Sequence, residues 1–350
     1  MMMLDALVDR TLADPLAAAR AAPRAIGYVG LDIPEDLLAA SGRFALHLPW
    51  DADRPTPKAD GWLENGFAPW ARSILEQWAA GDFDFIDHVI FSRGEDSAQR
   101  LYYYVTELQR RGMIAGPEPL IFDVARIRRD SSVAHSILAT HKLADRLDVT
   151  EQALSHGIAA ANRRRVFFEN LAQTRSGSGR RYERIARAAL FAPLEGASVD
   201  VLGAPPLSGK RVLLAGTAPP DDRIHAAVEI AGWLVSGEAH ERALDRLGPQ
   251  IETNGDPFAA IGRRAQVARF NARSFADPAA ALLEAARQAR ADAVILWLIE
   301  QEESMVWHVP PQVATMAQAG IPMLVLTRRR WDGNDGAAAE IAAWLAEMDA

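Results

Sequence analysis

Two series of short apolar segments, each segment followed by a polar turn and a helix-spaced stretch, restrict the fold more than any other feature of this chain. The first series opens with Ile26-Gly27-Tyr28-Val29-Gly30, continues into a helix begun near Pro34 and ended at Gly42, and returns as the alternating Phe44-Ala45-Leu46-His47-Leu48. A polar, Pro-rich loop over Asp51 to Asp60 follows, then a helix over Gly66 to Ala80 with Trp70, Ile74, Leu75 and Trp78 on one stripe. The run Phe85 to Phe91 reads as a strand, Ser92 to Ser97 as a turn, Leu101 to Arg111 as a helix and Pro119 to Val124 as one more strand. The second series predicts strands at Arg211 to Ala215, Trp233 to Ser236, Ala293 to Ile299 and Pro322 to Thr327. Helices fall between them, over Arg223 to Ala231, Pro278 to Arg290 and Pro310 to Ala319, with a closing helix from Asn334. Strands alternating with helices imply mostly parallel sheets covered on both faces, with ligands bound beyond the carboxyl ends of the strands.

Between the two series the pattern becomes long amphipathic helices from Ser131 to Arg175, broken and restarted at Asp148-Val149-Thr150-Glu151. Arg175 to Arg181 reads as a flexible basic loop and Gly196 to Gly209 as a linker. Beyond roughly 250–300 residues a single core usually splits. The expected architecture is therefore an N-terminal helix over 1–24, an α/β lobe over 25–130, a helical connector and linker over 131–204, and a second α/β lobe over 205–350.

Composition narrows the function. The net charge of -8 argues against a nucleic-acid partner, because phosphate binding needs clustered positive charge. No stretch approaches the roughly 20 apolar residues of a membrane span, and residues 1–22 lack the apolar core of a signal peptide, so a cytoplasmic location is expected. The chain has no cysteine, which excludes disulfides, thiolate zinc sites, cysteine nucleophiles and an all-cysteine iron–sulfur cluster.

The familiar short motifs fail on spacing. Gly203 to Lys210 is one residue too long for a phosphate-binding loop, and Arg211 stands where a magnesium-reaching hydroxyl belongs. Gly177-Ser178-Gly179 lacks the strand that precedes a nucleophile elbow. No metal-binding histidine spacing occurs, and His47, His88 and His135 read as structural side chains. The arginine runs at 163–165 and 328–330 read as solvated faces or salt-bridge partners, with an anionic ligand tail as the alternative. Three turns remain, each after a predicted strand and each acidic: Glu95 with Asp96, Glu238 with Glu241, and Glu300 with Glu302 and Glu303. Acidic residues there either cap the next helix or face a ligand.

At this point the chain resembles the 2-hydroxyacyl-CoA dehydratases and the related benzoyl-CoA reductase subunits. The resemblance is carried by Gly27-Tyr28-Val29 leading into Ile33-Pro34-Glu35-Asp36-Leu37-Leu38-Ala39-Ala40-Ser41-Gly42, and by Val149-Thr150-Glu151-Gln152-Ala153-Leu154 followed by Ile158 to Arg165. In the second series it rests on Arg211 to Gly216, Val228 to Gly232, Val309-Pro310 and Gly320 to Leu324. It implies two flavodoxin-like, Rossmann-like lobes joined by helices, an oligomer with a like or related subunit, and an acyl-CoA-type ligand at the lobe interface. It also implies cysteines that hold an iron–sulfur cluster there, through which one electron reaches the thioester. Here the three cysteine positions fall on Glu95, Glu238 and Glu302.

Three carboxylates converging on one interface need arginine partners such as Arg93 and Arg242, protonation, or a hard divalent cation. Glu95, Glu238 and Glu302 are accordingly the candidate catalytic residues and the candidate metal ligands, and glutamine at any of them is expected to lower turnover without unfolding the chain. No iron–sulfur cluster is expected. Arg163, Arg180 and Arg181 are the candidate phosphate contacts. The expected function is a cluster-free, dehydratase-like acyl-CoA-binding protein, a lyase if active. The alternative is a non-catalytic subunit that pairs with a cysteine-bearing relative, for which Trp50, Trp62 and Trp307 could supply interface area.

Overall fold

The computed structural model describes residues 3–175, 177–197, 209–244, 246–252, 254–266 and 276–349. Most of the predicted linker, residues 198–208, and most of the loop-like stretch at 203–210 lie outside the described residues. The strands are β1 (Ala25–Val29), β2 (Phe44–His47), β3 (His88–Ser92), β4 (Glu118–Phe122), β5 (Arg211–Gly216), β6 (Leu234–Ala239), β7 (Ala293–Ile299) and β8 (Met323–Arg329). They form two four-stranded sheets, in the orders β2-β1-β3-β4 and β6-β5-β7-β8, and every neighbouring pair is parallel. The two α/β lobes expected from the sequence are both present.

The helices of the first half are α1 (Leu4–Ala13), α2 (Ala17–Ala21), α3 (Glu35–Ala40), α4 (Pro57–Trp62), α5 (Pro69–Ala79), α6 (Asp96–Arg110), α7 (Asp130–Arg146), α8 (Glu151–Gln173) and α9 (Gly179–Phe191). Those of the second are α10 (Arg223–Ile230), α11 (Pro257–Arg264), α12 (Pro278–Gln288), α13 (Val309–Gln318) and α14 (Ala337–Glu347), with a 3-10 turn at Met305–His308. The break between α7 and α8 is where the sequence places it, because Thr150 accepts the Ala153 N–H and caps α8.

In both sheets the chain leaves its first strand toward one side and later returns on the other, so the strand order reverses between β1 and β3 and again between β5 and β7. Ligands bind at such reversals. A glycine closes each. At Gly30, φ is +90° and a Cβ would lie 2.6 Å from the Ser92 Cβ; at Gly216, φ is +103° and a Cβ would lie 2.4 Å from the Trp297 carbonyl oxygen. No other residue brings the two strand ends so close.

Four local readings change. Pro57 opens α4 inside the predicted loop over Asp51 to Asp60. Gly179-Arg180-Arg181, read as loop, begins α9, which packs on α1 through Arg181–Asp5 and Arg184–Asp9 ion pairs at 2.8 and 2.7 Å. β3 begins at His88, and Phe83 and Ile86 are buried before it. β6 runs on to Ala239, so Glu238 lies within a strand.

The lobes interlock. Trp50, on the loop after β2, donates its indole N–H to the Pro220 carbonyl at 2.8 Å and packs on Phe191 of α9 and on Trp331 in the second lobe's core. In the reverse direction, the segment from Ile251 through α11 leaves the second half and packs in the first lobe's apolar cluster with Leu143, Leu154 and Ile158. The Asn162 side chain brackets the Ile251 backbone, donating to its carbonyl at 2.8 Å and accepting from its N–H at 2.9 Å. A Cβ on Gly262 would lie 2.4 Å from the Ile137 side chain, so α11 and α7 are in close contact.

Candidate functional site between the two sheet edges

The carboxyl edges of the two sheets enclose a cavity of about 630 Å³. Its walls come from Leu31, Asp32 and Ile33 after β1, from Phe122 and Arg126 at and beyond β4, and from Arg165 and Phe168 of α8. The second half contributes His240, Glu241, Leu244 and Arg246 after β6, and Ile261 and Arg264 of α11. The wall is thus part aliphatic and aromatic, part guanidinium and part carboxyl.

Each acidic group near the β1 turn has a cationic partner. Asp32 pairs with Arg126 and accepts the Ser92 hydroxyl at 3.2 Å, tying the turns after β1, β3 and β4 together. Asp36 takes a two-pronged grip from Arg165 at 2.8 and 2.7 Å, both side chains almost fully buried. Glu35 lies between Arg164 at 3.3 Å and Arg246 at 4.0 Å.

The three glutamates singled out by the sequence have different surroundings. Glu95 is the N-cap of α6, accepting the Ser97 and Ala98 N–H groups at 3.1 and 2.9 Å. Burial pushes its pKa from 4.5 up to about 8; the Ala98 N–H opposes this, and the charge of Glu241 adds to it. Glu302 accepts from the Ser304 hydroxyl at 2.8 Å and from the Met305 N–H at 3.3 Å, at the start of the 3-10 turn. Capping, one of the two readings of these turns, is what both side chains do.

Glu238 is elsewhere. Its carboxylate meets Arg175 at 2.6 and 2.7 Å and His225 Nε2 at 3.2 Å, with its side chain 5% exposed. Burial alone would raise its pKa, but the Arg175 charge and the hydrogen bonds from Arg175 and His225 outweigh burial and hold it well below the usual range. The carboxyl group that senses its neighbours at the lobe interface is Glu241: it raises Glu95, and Glu302 in turn raises it, on top of the larger effect of burial. The sequence points to Glu238 in this turn, whereas the side chain on the cavity wall is Glu241, because β6 ends three residues later than its apolar pattern suggests. The three-glutamate metal site is therefore not assembled as expected, and among the described residues no group of three or more histidines, aspartates and glutamates is arranged to hold a metal ion.

The expected partners also move. Arg93 pairs with Asp123 at 2.6 Å, and Arg242 lies over the Trp50 ring at 4.4 Å while offsetting Glu241. Arg180 and Arg181 are taken up by Asp222 and Asp5 in a separate surface groove, and Arg163 is exposed on α8, so the guanidiniums on the cavity are Arg126, Arg165, Arg246 and Arg264. Their placement depends on tertiary contacts that no local spacing encodes. His47, His88 and His135 have the structural surroundings expected: His47 sits between the Gly30 N–H and the Leu48 carbonyl, His88 faces Glu118 and His135 faces Asp123.

Residues 31–348, nearly the whole chain and both sheet edges, match the family described as 2-hydroxyglutaryl-CoA dehydratase, D-component. The chain belongs to that dehydratase family. No curated protein matches it. An iron–sulfur cluster in this dehydratase family member would need thiolates, and the sequence has none. Glu95 and Glu302, which stand where the resemblance expects two of the cysteines, are carboxyl groups already held by backbone N–H groups, and such oxygens do not fit a cluster. Among the described residues no helix is long and apolar enough to cross a membrane.

The raised Glu95 has a consequence for stability in this dehydratase-family fold. The folded chain keeps a proton that the unfolded chain releases above pH 4.5, so stability falls as pH rises from about 4.5 to about 8 and levels off beyond. Glu95→Gln removes that ionisation and is expected to flatten the profile, recovering about 1–2 kcal/mol at pH 8 relative to pH 5 after allowance for partial exposure. Urea unfolding of both chains at the two pH values measures it. An unchanged slope would mean that Glu95 is ionised at neutral pH.

Proposed function

We propose that this dehydratase-family chain holds an acyl-CoA-type ligand in the cavity between its lobes, and that it works without an iron–sulfur cluster. The cavity itself carries the reading. A coenzyme A thioester joins an apolar acyl chain to anionic phosphates, and the wall offers Phe122, Phe168 and Leu244 beside four guanidiniums.

With no thiolate in the chain, the chemistry its own residues could supply is acid–base. Glu241 lies on the cavity wall with its pKa raised by burial, and Glu95, pushed up to about 8, lies behind it and feels its charge, a pairing of carboxyl groups suited to giving and taking protons. A base can remove a proton from the carbon next to a thioester carbonyl, because the resulting enolate is stabilised. If the hydroxyl lies one carbon further on, it leaves as water when the acid protonates it, and an enoyl thioester results. A hydroxyl on the carbon next to the carbonyl cannot leave this way without removal of an unactivated proton. The acid–base reading therefore favours 3-hydroxyacyl over 2-hydroxyacyl thioesters.

Calorimetric titration with both thioesters, followed by assay of enoyl product, tests both parts. Micromolar binding with turnover of the 3-hydroxy compound, reduced about 100-fold or more in Glu241→Gln with binding retained, is expected. Binding of neither would sink the ligand reading, and binding without turnover would sink the catalytic one.

A second reading, a non-catalytic subunit paired with a cysteine-bearing relative, is favoured by Trp307, which is 80% exposed on the 3-10 turn beside Glu302, with Val313 also exposed nearby. Trp50 is used up inside the molecule and Trp62 packs against the first core, so of the three only Trp307 offers itself outward. Isolation from the native source separates the readings: a lone assembly with bound ligand supports the first, and an obligate cysteine-bearing companion the second.

A further inference from the structure

We propose that Arg126 and Arg264 form an anion subsite at the α11 end of the cavity, so that the ligand carries a carboxylate or phosphate there; this rests on the cavity being a thioester site. Arg126 reaches in from the loop after β4. Its side chain is 8% exposed, it pairs with Asp32, and it donates to the Ala265 carbonyl at 3.4 Å, which brings it to the end of α11. Its Nε is buried without a hydrogen-bond partner among the described residues.

Arg264, in the last turn of α11, lines the same cavity, and no hydrogen bond or ion pair joins it to any described residue. The carboxylates that act on it, Asp36 and Glu35, are already held by Arg165 and by Arg164 with Arg246. Room for the guanidinium comes from Gly248, where φ is +59° and a Cβ would lie 3.0 Å from Nη1 and 3.2 Å from Nη2. Burial lowers the pKa of both arginines to about 10, and the charge of Arg264 further lowers that of Arg126. Both stay charged at neutral pH. One aspartate serves the two, which leaves a net positive charge that an anion between them would neutralise.

An arginine at a helix C-terminus also complements the helix dipole. Arg263, exposed in the same turn, is placed for that role, whereas Arg264 turns into the cavity.

The test compares wild type with Arg264→Gln, titrated with glutaryl-CoA, with pentanoyl-CoA as its uncharged counterpart, and with the glutaryl thioester of N-acetylcysteamine, which lacks phosphates. Free glutarate and inorganic pyrophosphate are added by thermal shift. Because Arg264 has no hydrogen-bond or ion-pair partner among the described residues, the variant is expected to melt with the wild type. Gly248→Ala displaces the same guanidinium by a second route should it not.

A loss of about 10- to 100-fold in affinity for both glutaryl thioesters but not for pentanoyl-CoA identifies a carboxylate subsite. An equal loss for the two coenzyme A esters, absent with the phosphate-free thioester, identifies a phosphate subsite. Thioesters that bind wild type and both variants alike overturn the subsite and leave the thioester reading standing. Thioesters that do not bind, beside glutarate or pyrophosphate that stabilises wild type alone, do the reverse. No response to any anion overturns both.

Discussion

Asparagine at position 36 is expected to destabilise the fold by about 3–5 kcal/mol, the cost of leaving a buried charge without its partner. Arg165 grips Asp36 with both Nη atoms, and the two side chains are 4% and 2% exposed at the edge of the cavity, so little water reaches them to replace the lost carboxylate. Asparagine still offers Arg165 one oxygen acceptor but no charge. The pair also fastens α3 to α8, the helices that carry the β1 turn and the connector, at a place where a Cβ on Gly157 would lie 2.2 Å from the Asp36 carbonyl oxygen. Urea denaturation measures the effect. Replacing both residues by leucine and methionine should recover most of it, because a well-packed apolar pair avoids the desolvation that the ions incur. A change below about 1 kcal/mol in the single variant would show that solvent reaches the pair.

The second large effect separates two glutamates three residues apart. Glu238→Gln is expected to cost about 3–5 kcal/mol, because it leaves Arg175 and His225 facing a neutral amide inside the protein. Glu241→Gln, on the cavity wall, is expected to cost less than about 1 kcal/mol and to show itself in ligand binding or turnover instead. Melting curves and titrations of the two variants decide the matter together. If Glu238→Gln folds normally and abolishes turnover, the sequence-based assignment of Glu238 is right and the position of Glu241 on the cavity is incidental. The expectation that glutamine at Glu95, Glu238 or Glu302 would spare the fold is thus reversed for Glu238.

The strands and turns were readable because local chemistry determines them. β7 has the bounds its sequence predicts: a continuous apolar run, Ala293 to Ile299, is what a central parallel strand needs when both faces are covered, and Asp292 and Glu300 bracket it. β6 was cut short because Gly237 and Glu238 look like turn residues, and the arginine that makes a charge tolerable inside that strand lies at position 175. α11 went unread although Asp256-Pro257 is a sound helix start, with Asp256 accepting the Phe258 N–H, because eight residues give too little periodicity. The site followed the same division. The acidic turns were legible as turns, but which carboxyl group faces the cavity, and which arginines join it there, depends on contacts between distant segments.

The crossing of Ile251 and α11 onto the first lobe also bears on how the chain comes into being. The apolar face made by Leu143, Leu154 and Ile158 is closed by residues that are synthesised roughly 100 positions later, a delay of about 5–20 s at ordinary rates of translation. The N-terminal lobe therefore leaves the ribosome with one side unsealed. Its completion waits for the polypeptide that also builds the opposite wall of the cavity, so neither lobe matures alone and the pocket between them is among the last features to close.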